Sequence, residues 1–269
     1  MSTGIAAASN PLSLFDLTGQ SVVITGASGA MGHATAVALA TMGAKLLLVS
    51  GSQGPLETVA SEARAVGGVV STLVIRPDTL SDAEAIIARG VELYGRVDSV
   101  LVASGFNKPA AIEAMPVDDW EEIMDANVRG PWLLAKAYGV HAGERGGGGR
   151  FILVSSVRGR QGSPAGYTAY CTSKGAVDSL TKTLATEWGP RGINVNAIAP
   201  SVFRSQLTDW IFSDTEEGRA SRERNYSRIP MKRLGEPEDF IGIAVYLLSA
   251  ASNFVTGQVI YVDGGYTAT

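Results

Sequence analysis

The sequence predicts an α/β fold, a doubly wound parallel sheet of seven strands with helices on both faces. Three observations predict it. Short β-branched or leucine-rich runs alternate with longer segments of helical periodicity. The short runs lack the strict apolar–polar alternation of a sheet with one wet face, so their strands are expected to be buried on both sides. The links between them are mostly short, which implies right-handed crossovers and helices above and below the sheet.

Taken in order, runs such as Ser21-Val22-Val23-Ile24-Thr25 and Leu46-Leu47-Leu48-Val49 place strands at 21–25, 45–49, 69–75, 99–103, 151–154, 194–199 and 258–262. Helical periodicity covers 31–42, 56–66, 81–94, 120–138, 170–188 and 237–248. Gly146-Gly147-Gly148-Gly149 reads as a flexible turn into the fifth strand. The longest interruption, 201–233, follows a strand end, where open α/β sheets place their ligands. It is polar but carries Phe203, Trp210, Phe212 and Tyr226, and it is expected to be a lid over a substrate. No internal repeat or linker divides the chain, so 1–269 is expected to be one domain.

Composition excludes several classes of function. A formal charge of −4 gives no electrostatic footprint for nucleic acid. The single cysteine, Cys171, rules out an internal disulfide framework and a cysteine metal cluster, and two histidines, His33 and His141, argue against a histidine-rich metal site. No metal is expected. Apolar runs are too short to cross a bilayer, and residues 1–20 lack the basic start and apolar core of a leader. A cytoplasmic protein without membrane or nucleic-acid partners is the resulting expectation.

Thr25-Gly26-Ala27-Ser28-Gly29-Ala30-Met31-Gly32 follows the first strand and opens the first helix. Glycines there let backbone amides approach a pyrophosphate, and the helix N-terminus adds donors and positive dipole. The tip of the second strand chooses between the two nicotinamide dinucleotides, because an acid there bonds the ribose hydroxyls and repels a 2′-phosphate. This chain offers Ser50-Gly51-Ser52, with no acid and no cation at the tip or in the glycine turn. The reading leans to NADP over NAD. Asp78, past the third strand, is placed either to touch the adenine or to cap the helix ahead of Ser81.

Tyr170 and Lys174 lie four residues apart, so on a helix they share a face. A nearby cation favours the phenolate and lowers a tyrosine pKa, which suits a group trading a proton with a carbonyl or alcohol oxygen. Ser155-Ser156 ends the fifth strand, and Asn127 sits in the helix before it. In order and spacing, the glycine turn, Asn127, Ser156, Tyr170 and Lys174 resemble the short-chain dehydrogenase/reductase family, with the likeness running from Leu17 to Val262-Asp263-Gly264-Gly265. The resemblance implies a Rossmann fold and an NAD(P)-dependent oxidoreductase. In it Tyr170 is the general acid/base, Ser156 bonds the reacting oxygen, Lys174 tunes Tyr170 and holds the nicotinamide ribose, and Asn127 supports a water relay. It also implies cofactor contacts at Gly26, Ser28, Ala30, Met31, Gly32, Ser50, Gly51, Ser52 and Asp78. Toward the nicotinamide, Ala103, Ser104, Gly105, Pro200, Ser201, Phe203 and Ser205 follow.

The chain departs from the family pattern in places. Asn-Asn-Ala-Gly after the fourth strand becomes Val102-Ala103-Ser104-Gly105, the second glycine of the turn becomes Ala30, Pro-Gly becomes Pro200-Ser201, and the usual threonine becomes Ser205. None touches the proton-transfer set. Cys171 points about 100° away from Tyr170 along a helix and reads as a small buried residue.

The substrate is the least legible feature. Lys108, Arg158, Arg160 and Arg204 follow strand ends and are either anion ligands or solvated loop charges; Lys108, Arg158 and Trp210 are the substrate candidates. The segments 14–19 and 257–265 look like the gluconate 5-dehydrogenase branch, which favours a sugar, polyol or sugar acid. A 3-oxoacyl-carrier-protein reductase shares nearly every motif and is the alternative. A dinucleotide sensor without catalysis would be expected to lose Tyr170 or Lys174, and both are present. Family members form homotetramers or homodimers through the tyrosine-bearing helix and the last strand. Ala176, Val177, Leu180 and Leu184 give an apolar stripe that either such an interface or burial within the monomer would explain.

Overall fold

The order in which the strands lie follows from their crossovers. A computed structural model describes residues 10–206 and 208–268; residues 1–9, part of the stretch read for a leader, lie outside the described residues. The strands are β1 (Ser21–Thr25), β2 (Lys45–Ser50), β3 (Val69–Val74), β4 (Ser99–Val102), β5 (Gly149–Val154), β6 (Ile193–Pro200) and β7 (Val259–Val262). They form one sheet in the order β3-β2-β1-β4-β5-β6-β7, with every pairing parallel. The order reverses between β1 and β4, so a crevice opens beyond their carboxyl ends.

The helices are α1 (Ala30–Thr41), α2 (Gln53–Ala65), α3 (Leu80–Tyr94), α4 (Val117–Met124), α5 (Gly130–Glu144), α6 (Thr168–Trp188), α7 (Asp209–Phe212), α8 (Glu216–Arg228) and α9 (Glu238–Leu248). Successive strand side chains point to opposite faces. Val22, Ile24, Leu46 and Leu48 therefore pack with Leu39 of α1, Leu56 of α2 and Phe240 of α9. Val23, Leu47 and Val49 pack on the other face with Ile86 of α3, Leu134 of α5 and Leu184 of α6. Central strands are buried on both faces as expected, but the edge strands β3 and β7 are mostly half-exposed, because each has a neighbour on one side only.

Two expectations change. The helix read across 120–138 is two helices, α4 and α5, joined by a π-helical turn at Asp125–Arg129. Pro131, four residues beyond Asn127, has no N–H to close the ordinary helical bond onto the Asn127 carbonyl, and the ladder widens there. The glycine run leading into β5 is packed at Gly147 and Gly149, while Gly146 and Gly148 face open space. All four glycines have positive φ, and a Cβ on Gly149 would sit 2.1 Å from the Tyr138 hydroxyl.

The segment 201–233 contains α7 and α8. It is fastened by a small apolar cluster in which Ile211, Ile229 and Leu234 meet Val157 and Tyr266. Phe203 belongs instead to the main core, while Trp210 is 44% exposed.

Candidate active site

Four strand ends supply the site. At the end of β5, the Ser155 hydroxyl donates to Asp178 Oδ1 at 2.5 Å and is committed to the scaffold. Ser156, one residue on, faces the other way, and its side chain hydrogen-bonds the Tyr170 hydroxyl. Ser156 is thus the serine of the pair that reaches the tyrosine.

Tyr170 stands in the first turn of α6, and Lys174, one turn later, is 4% exposed. The lysine ammonium lies 5.6 Å from the centroid of the Tyr170 ring and donates to the Val154 carbonyl at 2.8 Å. Desolvation pushes Lys174 down to about 8, against the pull of Asp178. The expected lowering of Tyr170 is not found. Burial raises the phenol above its ordinary value, opposed by its bond to Ser156, because the desolvated ammonium is spent on Val154 and not on the hydroxyl.

Asn127, buried in the π turn, accepts from the Phe106 amide at 3.0 Å and donates to the Phe106 carbonyl at 2.9 Å and to Ser173 Oγ at 3.0 Å. It holds the loop after β4 against α6. Gly105 in that loop has φ +155°, and a Cβ there would lie 2.9 Å from Asn127 Oδ1 and 3.4 Å from Lys174 Nζ. Only glycine lets this loop approach the pair so closely.

The turn between β1 and α1 forms a tight cradle. Gly26 has φ +67°, and a Cβ there would come within 2.4 Å of the Ser104 amide; one on Gly32 would come within 2.5 Å of the Gly26 carbonyl. The N-cap of α1, Gly29, brings no side chain to its first turn, leaving the amides of Ala30, Met31 and Gly32 without a side-chain cap. These are the donors a pyrophosphate requires, and the residues present fit that group. Ser28 Oγ bonds Ser50 Oγ at 2.7 Å, tying the turn to the tip of β2. Ser52 is the N-cap of α2 beside it. At the other end, Ser104 Oγ meets Thr25 Oγ1 at 3.3 Å, supplying a hydroxyl where the family asparagine is missing.

Known proteins resemble this chain over most of its length. A family model described as enoyl-(acyl carrier protein) reductase matches residues 26–267. An uncharacterized oxidoreductase of Mycobacterium tuberculosis is 51% identical over 257 residues, 96% of this chain and 94% of that protein. The chain belongs to the short-chain dehydrogenase/reductase family. Gluconate 5-dehydrogenase of Gluconobacter oxydans is 34% identical, covering 95% of this chain and 98% of its own. A 3-oxoacyl-[acyl-carrier-protein] reductase of Thermotoga maritima is 32% identical, covering 93% and 98%. A solved structure from Agrobacterium tumefaciens, described as a candidate 2-deoxy-d-gluconate 3-dehydrogenase with bound NADP, superposes with a TM-score of 0.87 at 31% identity, covering 95% and 99%. This short-chain dehydrogenase/reductase is accordingly an NAD(P)-dependent dehydrogenase or reductase.

Within that frame, several sequence readings shift. Asp78 is exposed and lies four residues beyond the end of β3; the cap of α3 is Thr79, in a reciprocal box with Asp82. The residue that reaches the tip of β2 is Arg76, whose side chain lies on Gly51: a Cβ on that glycine would be 2.4 Å from Arg76 Nε. Sequence reading looked for a cation at the tip and missed one arriving from the next strand. The signal was the parallel register, which sets Ser50 opposite Val74.

The substrate candidates separate as well. Lys108 is neutralised by Asp119 at 2.6 Å and by Glu122. Arg204 pairs with Glu236 at 3.0 Å, and Arg160 rests on Tyr261. Arg158 has no acidic partner among the described residues. Ser205 is turned onto Thr208, its amide donating to Thr208 Oγ1 at 2.9 Å, and the Ser201 amide donates to the Val262 carbonyl at 3.3 Å. Ser156 Oγ reaches the Pro200 carbonyl at 3.5 Å, joining the ends of β5 and β6. Cys171 is half-buried, not buried, with its thiol toward the Gln161 carbonyl at 3.8 Å. Among the described residues no group of three His, Cys, Asp or Glu side chains gathers to hold a metal, and no helix is long and apolar enough to cross a membrane.

Proposed function

We propose that this protein interconverts a secondary alcohol and a ketone with NADP, on a sugar, polyol or sugar acid. The contact between the Tyr170 hydroxyl and Ser156, with Lys174 one helical turn away, carries the reading. A bound nicotinamide supplies or takes a hydride at the substrate carbon. Ser156 would bond the substrate oxygen and orient it on Tyr170. In reduction Tyr170 gives its proton to that oxygen; in oxidation it takes one. The raised phenol pKa keeps the proton in place at neutral pH until a developing alkoxide calls for it. Lys174, charged below about pH 8, then offsets the negative charge left on the phenolate. Asn127 holds the loop that carries Gly105 against α6, the helix of Lys174.

Arg76 on Gly51, with Ser28 and Ser50 beside it, supports NADP: a guanidinium and two hydroxyls converge where an acid would repel a 2′-phosphate. Likeness to gluconate 5-dehydrogenase favours the polyhydroxy substrates. The test is a panel of sugars, polyols, sugar acids and 3-oxoacyl thioesters assayed with NADPH and NADP, for the protein and for Tyr170→Phe. Turnover of a polyhydroxy compound that drops by about 10²-fold or more in the variant, with NADPH still bound, is expected. Undiminished turnover would sink the mechanism, and activity confined to the thioesters would overturn the substrate class.

A further inference from the structure

We infer that Arg158 and Arg228 form an anion subsite at the far end of the substrate pocket, so the substrate carries a carboxylate. This rests on the alcohol–ketone reading above and narrows its substrate to the sugar acids. Arg158 follows Ser156 by two residues, and its amide donates to Ser156 Oγ at 3.2 Å, so its backbone is fixed to the reacting end of the site. Its half-buried side chain makes one hydrogen bond among the described residues, from Nη1 to the Gly162 carbonyl at 2.9 Å. The guanidinium lies 6.0 Å from the centroid of the Tyr167 ring, which meets the Tyr170 ring edge-on at 6.2 Å. One aromatic ring therefore separates this cation from the proton-transfer tyrosine.

A second cation arrives from the segment 201–233. Arg228, the last residue of α8, sits 4.4 Å from the centroid of the Tyr266 ring, and Arg158 sits 5.7 Å from the same ring. Neither arginine has a carboxylate partner among the described residues. Their neighbours do: Arg204 pairs with Glu236 and Arg233 with Asp239. Asp263 is spent on the Gly265 and Thr267 amides and the Thr267 hydroxyl. Two guanidiniums stacked on one buried ring, Arg158 half-buried and Arg228 exposed, bring two positive charges to one place without a carboxylate partner, and a carboxylate takes well the planar bidentate bonds a guanidinium offers. The pair also ties two parts of the chain together, since Arg158 lies in the turn after β5 and Arg228 ends α8 within the segment 201–233.

The test is calorimetric binding to the NADPH-loaded protein with three probes: D-gluconate, the uncharged D-glucitol, and D-glucitol 6-phosphate. Gluconate is expected to bind at least about tenfold more tightly than glucitol, as a charge-assisted pair implies. That preference is expected to shrink about tenfold in Arg158→Gln and again in Arg228→Gln. Equal affinity for gluconate and glucitol in the unmutated protein overturns the proposal without recourse to any variant. So does a preference that both substitutions leave intact, and tighter binding of the phosphate ester overturns the carboxylate assignment. Because binding is read without turnover, repeating it in Tyr170→Phe separates the two claims. A gluconate preference kept there with turnover of the panel alcohols undiminished would sink the redox reading alone.

Discussion

Lys174 shows how a single residue is held against its own solvation. Its ammonium is buried, bonded to the Val154 carbonyl, and shifted from 10.5 down to about 8. The sign follows from proton counts. Between about pH 8 and 10.5 the unfolded chain keeps a proton that the folded chain has released, so this group's contribution to stability rises with pH across that window. Below it the folded protein carries a charging cost of about 3 kcal/mol, taking 1.36 kcal/mol per pKa unit. Lys174→Met removes the charge, keeps much of the volume, and leaves one carbonyl unpaired at a cost of about 1 kcal/mol. Urea unfolding at pH 7 should show the variant more stable by about 1–2 kcal/mol, with the gain gone by pH 10, while turnover falls about 10²-fold or more. A variant that is less stable at pH 7 would contradict the account. The same residue marks a limit of sequence reading. Its spacing from Tyr170 was visible in the chain, but the carbonyl that engages it, and so the direction of the tyrosine shift, depends on where β5 ends.

At the scale of elements, what was legible tracks periodicity. The seven strands and the helices packed on them, α7 and α8 apart, were readable because each is a run with one period, and their observed bounds differ by at most three residues except in the helix that the π turn at Asp125–Arg129 divides. Ser156, Tyr170 and Lys174 could be placed in the fold because β5 and α6 are strongly patterned, and Asn127 because a long helical run surrounds it, although the π turn that holds it was not readable. Arg76 was not, since its position depends on register between β2 and β3, and register is a relation between two strands. That relation makes a prediction. Removing the guanidinium from Gly51 with Arg76→Ala should weaken NADPH binding by about ten- to hundredfold, the worth of a hydrogen-bonded charge, and leave NADH binding nearly unchanged. Separate fluorescence titrations measure both. Tighter binding of NADH than NADPH by the unmutated protein would reverse the cofactor preference.

The whole molecule leaves two apolar surfaces that its own core covers only in part. On one side, Trp132 and Val140 of α5 are 48% and 58% exposed. They line an open groove of roughly 520 Å³ with Leu184 and Trp188 of α6, the helix that carries Tyr170. On the other, β7 is an edge strand of Val259, Ile260, Tyr261 and Val262, all half-exposed, preceded by a fully exposed Phe254. Within the α6 stripe, Val177 and Leu184 are taken up by the monomer core, whereas Ala176 and Leu180 are half-exposed. An unpaired strand edge and a groove flanked by tryptophan are costly to leave in water, and a second copy of the chain would cover each if it presented the same face. The two surfaces lie on different elements, so using both would build a tetramer from two kinds of contact. Trp132→Asp should then stop assembly at dimers held through β7, measured by sedimentation velocity, because it buries a carboxylate in one contact and leaves the other untouched. Since α6 carries Tyr170 and Lys174 on the same helix, turnover of the separated dimers should fall as well. A protein that sediments as a monomer without the substitution would defeat the prediction.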